Sequence, residues 1–290
     1  METRVKPVID RCPVPGLSLG SMDSHSATAL DKPSLDSVCG NLKLKVDKFR
    51  GALSSGVPRD PRPVVALITH KIEKIGEMSC NPAIGGLGKS HLVREIDAMG
   101  GQMANCAAEA GIHFKVLNAS KGPAVRATRS QSDRKLYSKS VKNIINSEHL
   151  LSTLSDEVID IDLQGQNAVG VILKSGKKIN ARKIILTAGT FLNGRLFTGE
   201  EEEEGGRKKD KTSKFLAKSL QSLELGDSRL KTGTPPRILA SSINWEVLEK
   251  QSGDSPRPCM SFINSNKIHP EQMDCFITRT NIKTHEIIKT

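Results

Sequence analysis

Aromatic residues are scarce in this chain of 290 residues: with one Trp, one Tyr and seven Phe they make up 3% of it. Recognition of single-stranded nucleic acid by stacking bases on aromatic rings is therefore excluded as the main mode, and any contact with RNA must work through phosphates and shape. The six cysteines, Cys12, Cys39, Cys80, Cys106, Cys259 and Cys275, include no CxxC pair, which argues against a zinc ribbon. His70, His91, His113 and His285 show no metal-ligand spacing, so satisfied structural roles are expected for them and no metal. No apolar run is long enough to span a bilayer, and no secretory signal is recognisable. The thiols are expected to be reduced and the protein intracellular and soluble. Also missing is a GxGxxG turn ahead of Val64. A Rossmann fold uses such a turn to bring a dinucleotide pyrophosphate onto the start of its first helix. Gly16 and Gly20, in PGLSLGS, do not fit that spacing and come after no strand.

What the chain does have is a net charge of +11 and a hydrophobic fraction of 37%. The basic excess fits a polyanionic partner such as nucleic acid, and it equally fits a merely soluble basic protein. The hydrophobic shortfall is concentrated in the first sixty or so residues, where Ser, Pro and Gly dominate without a period. Residues 1–62 are expected to be disordered or unrelated to the rest of the chain. Glu2, Asp10, Asp23 and Asp31 are too many acids for a good organelle transit peptide.

From Pro63 the pattern changes. PVVALITH (63–70) reads as a buried strand. A loop over 78–88 leads to helical stretches over 89–99 and on to Ala110, with Cys106 in their core. Residues 114–117 read as a short strand. Pro123 sits where a helix tolerates proline, and a long helix is expected to run from it. On that wheel Leu136, Val141 and Ile144 form the core stripe, Lys135, Lys139 and Lys142 the solvated face, and Arg126 and Arg129 fall on the core side. Such an arginine pair needs a buried partner or an anion, unless the helix begins later. Strands over 158–163, 168–173 and 183–187, with turn chemistry at 174–177, suggest an antiparallel meander. The last strand runs into Thr187-Ala188-Gly189-Thr190, small enough for close backbone approach to a ligand at a sheet's carboxyl edge. The acidic run 200–204 is expected to be a solvated loop, KTGTPPR (231–237) a rigid loop, and 243–250 a short helix. Cys275, in the apolar run CFIT, is expected to be structural.

Two motifs invite chemistry. AIGGLGKS (83–90) almost spells a phosphate-binding P-loop, but Ala83 stands where its first glycine is required. Glycines leading into a helix that starts near Lys89 still suit an anion at the helix N-terminus, as they suit a tight turn with no ligand. Cys80 precedes that helix, where positive charge favours thiolate. A lone cysteine is more often a small packing residue.

Longer stretches carry a resemblance. GEMSCNPAIGGLGKSHLVREIDAMGG (76–101), LNASKGPAVRATRSQSDRKLY (117–137), KIILTAGTFLNG (183–194), LKTGTPPRI (230–238) and CFITRTNIKTHEII (275–288) are similar to the MnmG (GidA) family over roughly three-quarters of the chain. The resemblance implies an α/β, Rossmann-like FAD-binding fold with an antiparallel meander and an inserted second domain. On that scheme 63–199 is the first part of the FAD-binding domain and 200–290 an incomplete second domain, with the fold truncated at both ends. It implies modification of the tRNA wobble uridine at C5, of the carboxymethylaminomethyl type. The implied companions are an MnmE-type GTPase partner, FAD as cofactor, NADH and methylenetetrahydrofolate as co-substrates, and a homodimer. A eukaryotic source would place the protein in mitochondria, a bacterial one in cytoplasm. By motif, Cys80 matches a family cysteine proposed as nucleophile. Val158 and Ser213 match FAD contacts, with Thr187, Gly189 and Thr190 at the strand end beside them. Lys121, Arg126 and Arg129 match a basic, RNA- or anion-binding stretch, and Lys89 joins them as the anion candidate at its helix start. The chain departs from the pattern where the glycine-rich loop should precede VVALITH, and in GGRKKDKTS (205–213), where the family has a small, proline-containing version. Lacking a first strand, the sheet is expected to keep an unpaired edge. The competing reading is a basic RNA- or partner-binding module without catalysis.

Overall fold

The computed structural model describes residues 64–78, 80–225, 228–263 and 269–289, together with the backbone of 42–45. The expectation of disorder over 1–62 lies outside the described residues, apart from that one short strand. In chain order the elements begin with strands β1 (Leu42–Lys45), β2 (Val65–Thr69) and β3 (Ala83–Gly85) and helices α1 (Ser90–Ala98) and α2 (Met103–Ala110). Then come strands β4 (Gly111–Leu117) and β5 (Ala127–Ser132) and helix α3 (Arg134–Ser147). Beyond them lie β6 (Leu151–Ser155), β7 (Val158–Gln164), β8 (Asn167–Leu173), β9 (Lys178–Asn180), β10 (Lys183–Ile185), β11 (Arg195–Thr198) and β12 (Glu201–Glu204). Helix α4 (Lys214–Gln221), strands β13 (Glu249–Gln251) and β14 (Cys275–Ile277) and helix α5 (Ile282–Lys289) close the series.

The β-branched, apolar β2 is buried along its middle and anchors a four-stranded sheet of order β10-β1-β2-β6. β2 and β6 are parallel, as expected when a helix-containing crossover joins two strands. β1 runs antiparallel to both its neighbours, with Leu42 opposite Ile68 and Lys43 opposite Ile185, so β10 points the same way as β2. The expected open edge beside β2 is therefore closed: a strand from the segment preceding the Rossmann-like region fills it, in reversed direction. The meander is present as the antiparallel sheet β7-β8-β9, turned at Gly165 and Gly176, both with positive φ. Its third strand is Lys178–Asn180, whereas the strand expected there over 183–187 supplies β10 of the large sheet. Ala66, Ile68, Val158, Val171, Leu173, Ala181 and Leu216 form a common core between these two sheets and α4. Leu216 is the α4 residue buried in that core, and α4 packs against β7.

A second core lies under the small sheet β3-β5-β4. There Ile84 and Phe114 meet Val93 of α1, the alanines and Cys106 of α2, Tyr137 of α3, and Met260. Gly85, at φ +82, lets β3 close onto β5, because a Cβ there would lie 2.3 Å from the Thr128 carbonyl oxygen.

This region overturns the long helix expected from Pro123. Pro123 opens a single 3-10 turn ending at Val125, ATRSQS becomes β5, and α3 starts only at Arg134. Asp133 sets that start: its side chain accepts hydrogen bonds from the Lys135 and Leu136 amides, both at 2.8 Å, as an N-cap should. Arg126 is consequently exposed in a loop, and Arg129 is half-buried on the face of β5 opposite Thr128, Ser130 and Ser132. Leu136, placed in the core stripe, is exposed, while Tyr137 is buried. Two smaller readings also change. The acidic run 200–204 pairs as strand β12 with β11, though it remains solvated. Over 243–250 only a 3-10 turn forms, at Trp245–Val247, before β13.

Candidate functional site

The carboxyl edge of the large sheet, where open α/β folds bind ligands, gathers residues from four stretches of chain. His70 comes directly after β2. Its backbone oxygen accepts from the Ser155 hydroxyl at the end of β6, 3.2 Å away. Ser213 Oγ lies 3.2 Å from His70 Nε2, and the Phe191 ring meets the imidazole edge-on. Burial holds the His70 imidazole below its ordinary value against the raising pull of Glu157 and Asp210, which favours the neutral ring. The turn after β10 carries Thr187, half-buried, Gly189, exposed at φ +57, and Thr190. Thr190 donates its hydroxyl to the Gly206 carbonyl at 2.6 Å, and Thr212 donates to that of Phe191 at 2.6 Å. Those bonds tie the 187–194 turn to the GGRKKDKTS segment.

That segment is pinned from below by Asp210. Its carboxylate is nearly buried and accepts from Lys71 Nζ at 2.8 Å and Lys74 Nζ at 2.7 Å, with Arg207 Nε at 3.4 Å. Burial pushes the Asp210 carboxyl up, but the bonds from Lys71 and Lys74 outweigh it and leave the group below its usual 3.8. Sequence reasoning singled out neither His70 nor Asp210 as part of this site. The available signal was position: His70 ends the strand that reads as buried from its β-branched run.

Cys80 belongs to a second cluster. Its Sγ lies 2.9 Å from Thr234 Oγ1 and 3.8 Å from the Gly233 carbonyl oxygen, so the SCNP and KTGTPPR loops meet there. β3 and a turn of positive-φ glycines, Gly85, Gly86 and Gly88, stand between Cys80 and α1 in the chain. The thiol's hydrogen-bond partners are on the distant KTGTPPR loop. Lys89 is the exposed N-cap residue of α1, whose first turn carries no acid. Lys121 and Arg126 are exposed in the loop leading to β5. Cys106 is buried in the second core, and Cys275 accepts a hydrogen bond from Gln131 Nε2 at 3.3 Å.

The FAD implied by the resemblance finds an incomplete cradle in these residues. The Val158 side chain is committed to the core, so only its backbone is left for a ligand. The hydroxyls of Ser213 and Thr190 already have protein partners. β2 leads into the 3-10 turn Ile72–Lys74 rather than into a glycine-rich helix start. Among the described residues, the backbone donors that would hold a pyrophosphate are not assembled at this edge. Among them also, no group of three or more His, Cys, Asp or Glu is placed to hold a metal, and no helix is long and apolar enough to cross a membrane.

A mixed sheet with small-residue turns at its carboxyl edge and an antiparallel meander packed beside it defines an α/β protein of the Rossmann-like class. The chain belongs to the GidA family: the model of "Glucose inhibited division protein A" matches residues 63–290. Two crystal forms of Aquifex aeolicus GidA are similar to it at 38% identity and a TM-score of 0.71. The match covers 77% of this chain and 38% of the Aquifex protein, so the chain spans well under half the length of that relative.

Proposed function

We propose that this chain serves in FAD-dependent modification of the tRNA wobble uridine at C5, of the carboxymethylaminomethyl type, together with an MnmE-type GTPase. The observation that carries the reading is the junction of the SCNP and KTGTPPR loops at Cys80 and Thr234, inside the family-matched region. In this scheme the Cys80 thiolate adds to uridine C6, and the electron pair pushed to C5 makes that carbon the nucleophile. After C5 has gained its substituent, loss of the C5 proton expels the thiolate and restores the ring. NADH and methylenetetrahydrofolate are the proposed co-substrates. The proposed division of the chain is a flavin-side domain over 63–199 and a second domain over 200–290. Val158, Ser213, Thr187, Gly189 and Thr190 are proposed to flank the cofactor, and Lys89, Lys121, Arg126 and Arg129 to meet RNA or another anion. A homodimer is proposed, with mitochondria the compartment of a eukaryotic source and cytoplasm that of a bacterial one.

The test is a chimera in which residues 63–290 replace the matching part of Aquifex GidA. Mass spectrometry of tRNA nucleosides from cells lacking their own enzyme is expected to show the modified uridine. A folded, flavin-loaded chimera that leaves the uridine unmodified would sink the proposal.

The incomplete cradle favours a second reading, a basic binding module without catalysis, for the chain acting by itself. After dialysis against excess FAD, the 290-residue chain is expected to retain far less than one flavin per chain by absorbance. Each missing charge-assisted hydrogen bond costs about 1.5–3 kcal/mol, and two or three of them weaken binding about a hundredfold or more. A yellow protein with one flavin per chain would show that the chain supplies a phosphate site of its own.

A further inference from the structure

An open groove of about 1110 Å³ runs between α3 and the segment after β2. One wall is basic: Arg134, Lys135 and Lys139 line it, with Lys142 further along. Lys142 is committed to the Glu73 carbonyl oxygen, 2.5 Å away. Lys135 and Lys139 are exposed and have no ion-pair partner among the described residues. Three acids also line the groove, Glu73, Glu77 and Asp133, of which Asp133 is spent capping α3. Glu77 is shared among Arg207, Lys74 and Arg134 at 3.7 to 4.0 Å. The floor is apolar, made by Met78, Pro82 and Ile112.

Two buried polar atoms on this wall lack partners. Ser132 is 2% exposed and its hydroxyl makes no hydrogen bond; Arg134 Nε is likewise buried and unbonded. Burying such groups without partners is costly, and both line the same groove. Because the first amides of α3 are already taken by Asp133, side chains rather than the helix end supply the donors.

We propose that this groove binds a nucleotide, its phosphate against Ser132, Arg134, Lys135 and Lys139 and its base over Met78 and Pro82. A bare anion would leave the apolar floor uncovered, and an apolar ligand would leave the orphan donors and free lysines unmet. The RNA chain is one source of that chemistry and a free mononucleotide the other. Only the choice of RNA rests on the tRNA reading above.

The experiment measures binding of a labelled single-stranded RNA oligonucleotide and of uridine 5′-monophosphate to the full chain across a salt series. Lys135→Ala with Lys139→Ala is expected to weaken RNA binding about tenfold, roughly 1.4 kcal/mol, and to flatten the salt slope by about one. Lys177→Ala with Lys183→Ala, exposed lysines outside the groove, is expected to change it less than about twofold. Ser132→Ala removes an orphan hydroxyl, so its melting temperature should hold while both ligands weaken. Arg134→Lys, which keeps the charge and deletes Nε, gives the same answer if Ser132→Ala folds poorly. Uridine monophosphate binding that responds to these variants while RNA does not keeps the groove and makes the ligand a free nucleotide. Equal losses from the two lysine pairs, or indifference of both ligands to Ser132→Ala and Arg134→Lys, overturn the proposal. None of these readouts uses tRNA modification, so failure of the chimera and failure of the groove are separate results.

Discussion

Cys80→Ser, placed in the Aquifex chimera, is expected to fold, retain flavin and lose wobble-uridine modification by about a thousandfold or more, the scale on which removal of a nucleophile acts. The substitution is nearly isosteric, and Ser keeps the hydrogen bond to Thr234 Oγ1, now 2.9 Å from the sulfur. What it removes is the sulfur nucleophile, whose thiolate adds readily to an electrophilic carbon. Thr234→Val separates the two contributions, since it deletes the partner and leaves the thiol. It is expected to cost much less, roughly tenfold, because the net worth of one hydrogen bond is about 1 kcal/mol. Wild-type modification in Cys80→Ser would remove the thiol from the chemistry and leave the loop junction as packing.

The second large effect is expected at Asp210, and it is one of stability. Asp210→Asn keeps the shape but leaves Lys71 and Lys74 facing an amide. Breaking a buried ion pair costs about 3–5 kcal/mol. Here the Lys71 side chain is 44% exposed and Lys74 27%, so solvent screens them and about 2 kcal/mol is expected in urea unfolding at neutral pH. The pH dependence is set by the lowered carboxyl. A depressed folded-state value means that the carboxylate's contribution is fully present above the unfolded value near 3.8. It is lost as pH falls from there through the folded value. The gap between wild type and Asp210→Asn should therefore close in that acid window. Equal stability at pH 7, or a gap independent of pH, would show that Asp210 holds nothing in place.

What could be read from the residues alone was whatever depends on local periodicity. VALIT reads as buried because a short β-branched run has no other use. The meander is legible from short strands and the turn chemistry at 174–177, where Gly176 takes positive φ. The segment 123–132 could not be read that way. ATRSQS is polar, and its strand exists because β3 and β4 flank it, a fact about partners rather than about its own pattern. Pro123 drew the helix start about ten residues too early, although Asp133 carried the N-cap signal. Among site residues, motifs pointed to Cys80 and Ser213. Nothing local pointed to Thr234 or His70 as their partners, or to Asp210 as that of Lys71, since each contact joins residues about 140 to 150 positions apart.

That separation has a consequence for synthesis. His70–Ser213, Lys71–Asp210, Cys80–Thr234, His113–Gln251 and Gln131–Cys275 are spaced by 143, 139, 154, 138 and 144 residues. The stretch from 70 to 131 thus docks, nearly in step, onto the stretch from 210 to 275. At about 5–20 residues per second on the ribosome, the loop bearing Cys80 waits roughly 8–30 seconds for the one bearing Thr234. During that interval the lysines at 71 and 74 have no carboxylate from 210, and the thiol has no hydroxyl beside it. The first half of the chain leaves the ribosome as a nascent surface still lacking its counterpart. That interval is when a thiol-directed reagent or a chaperone would find Cys80 without its later neighbour.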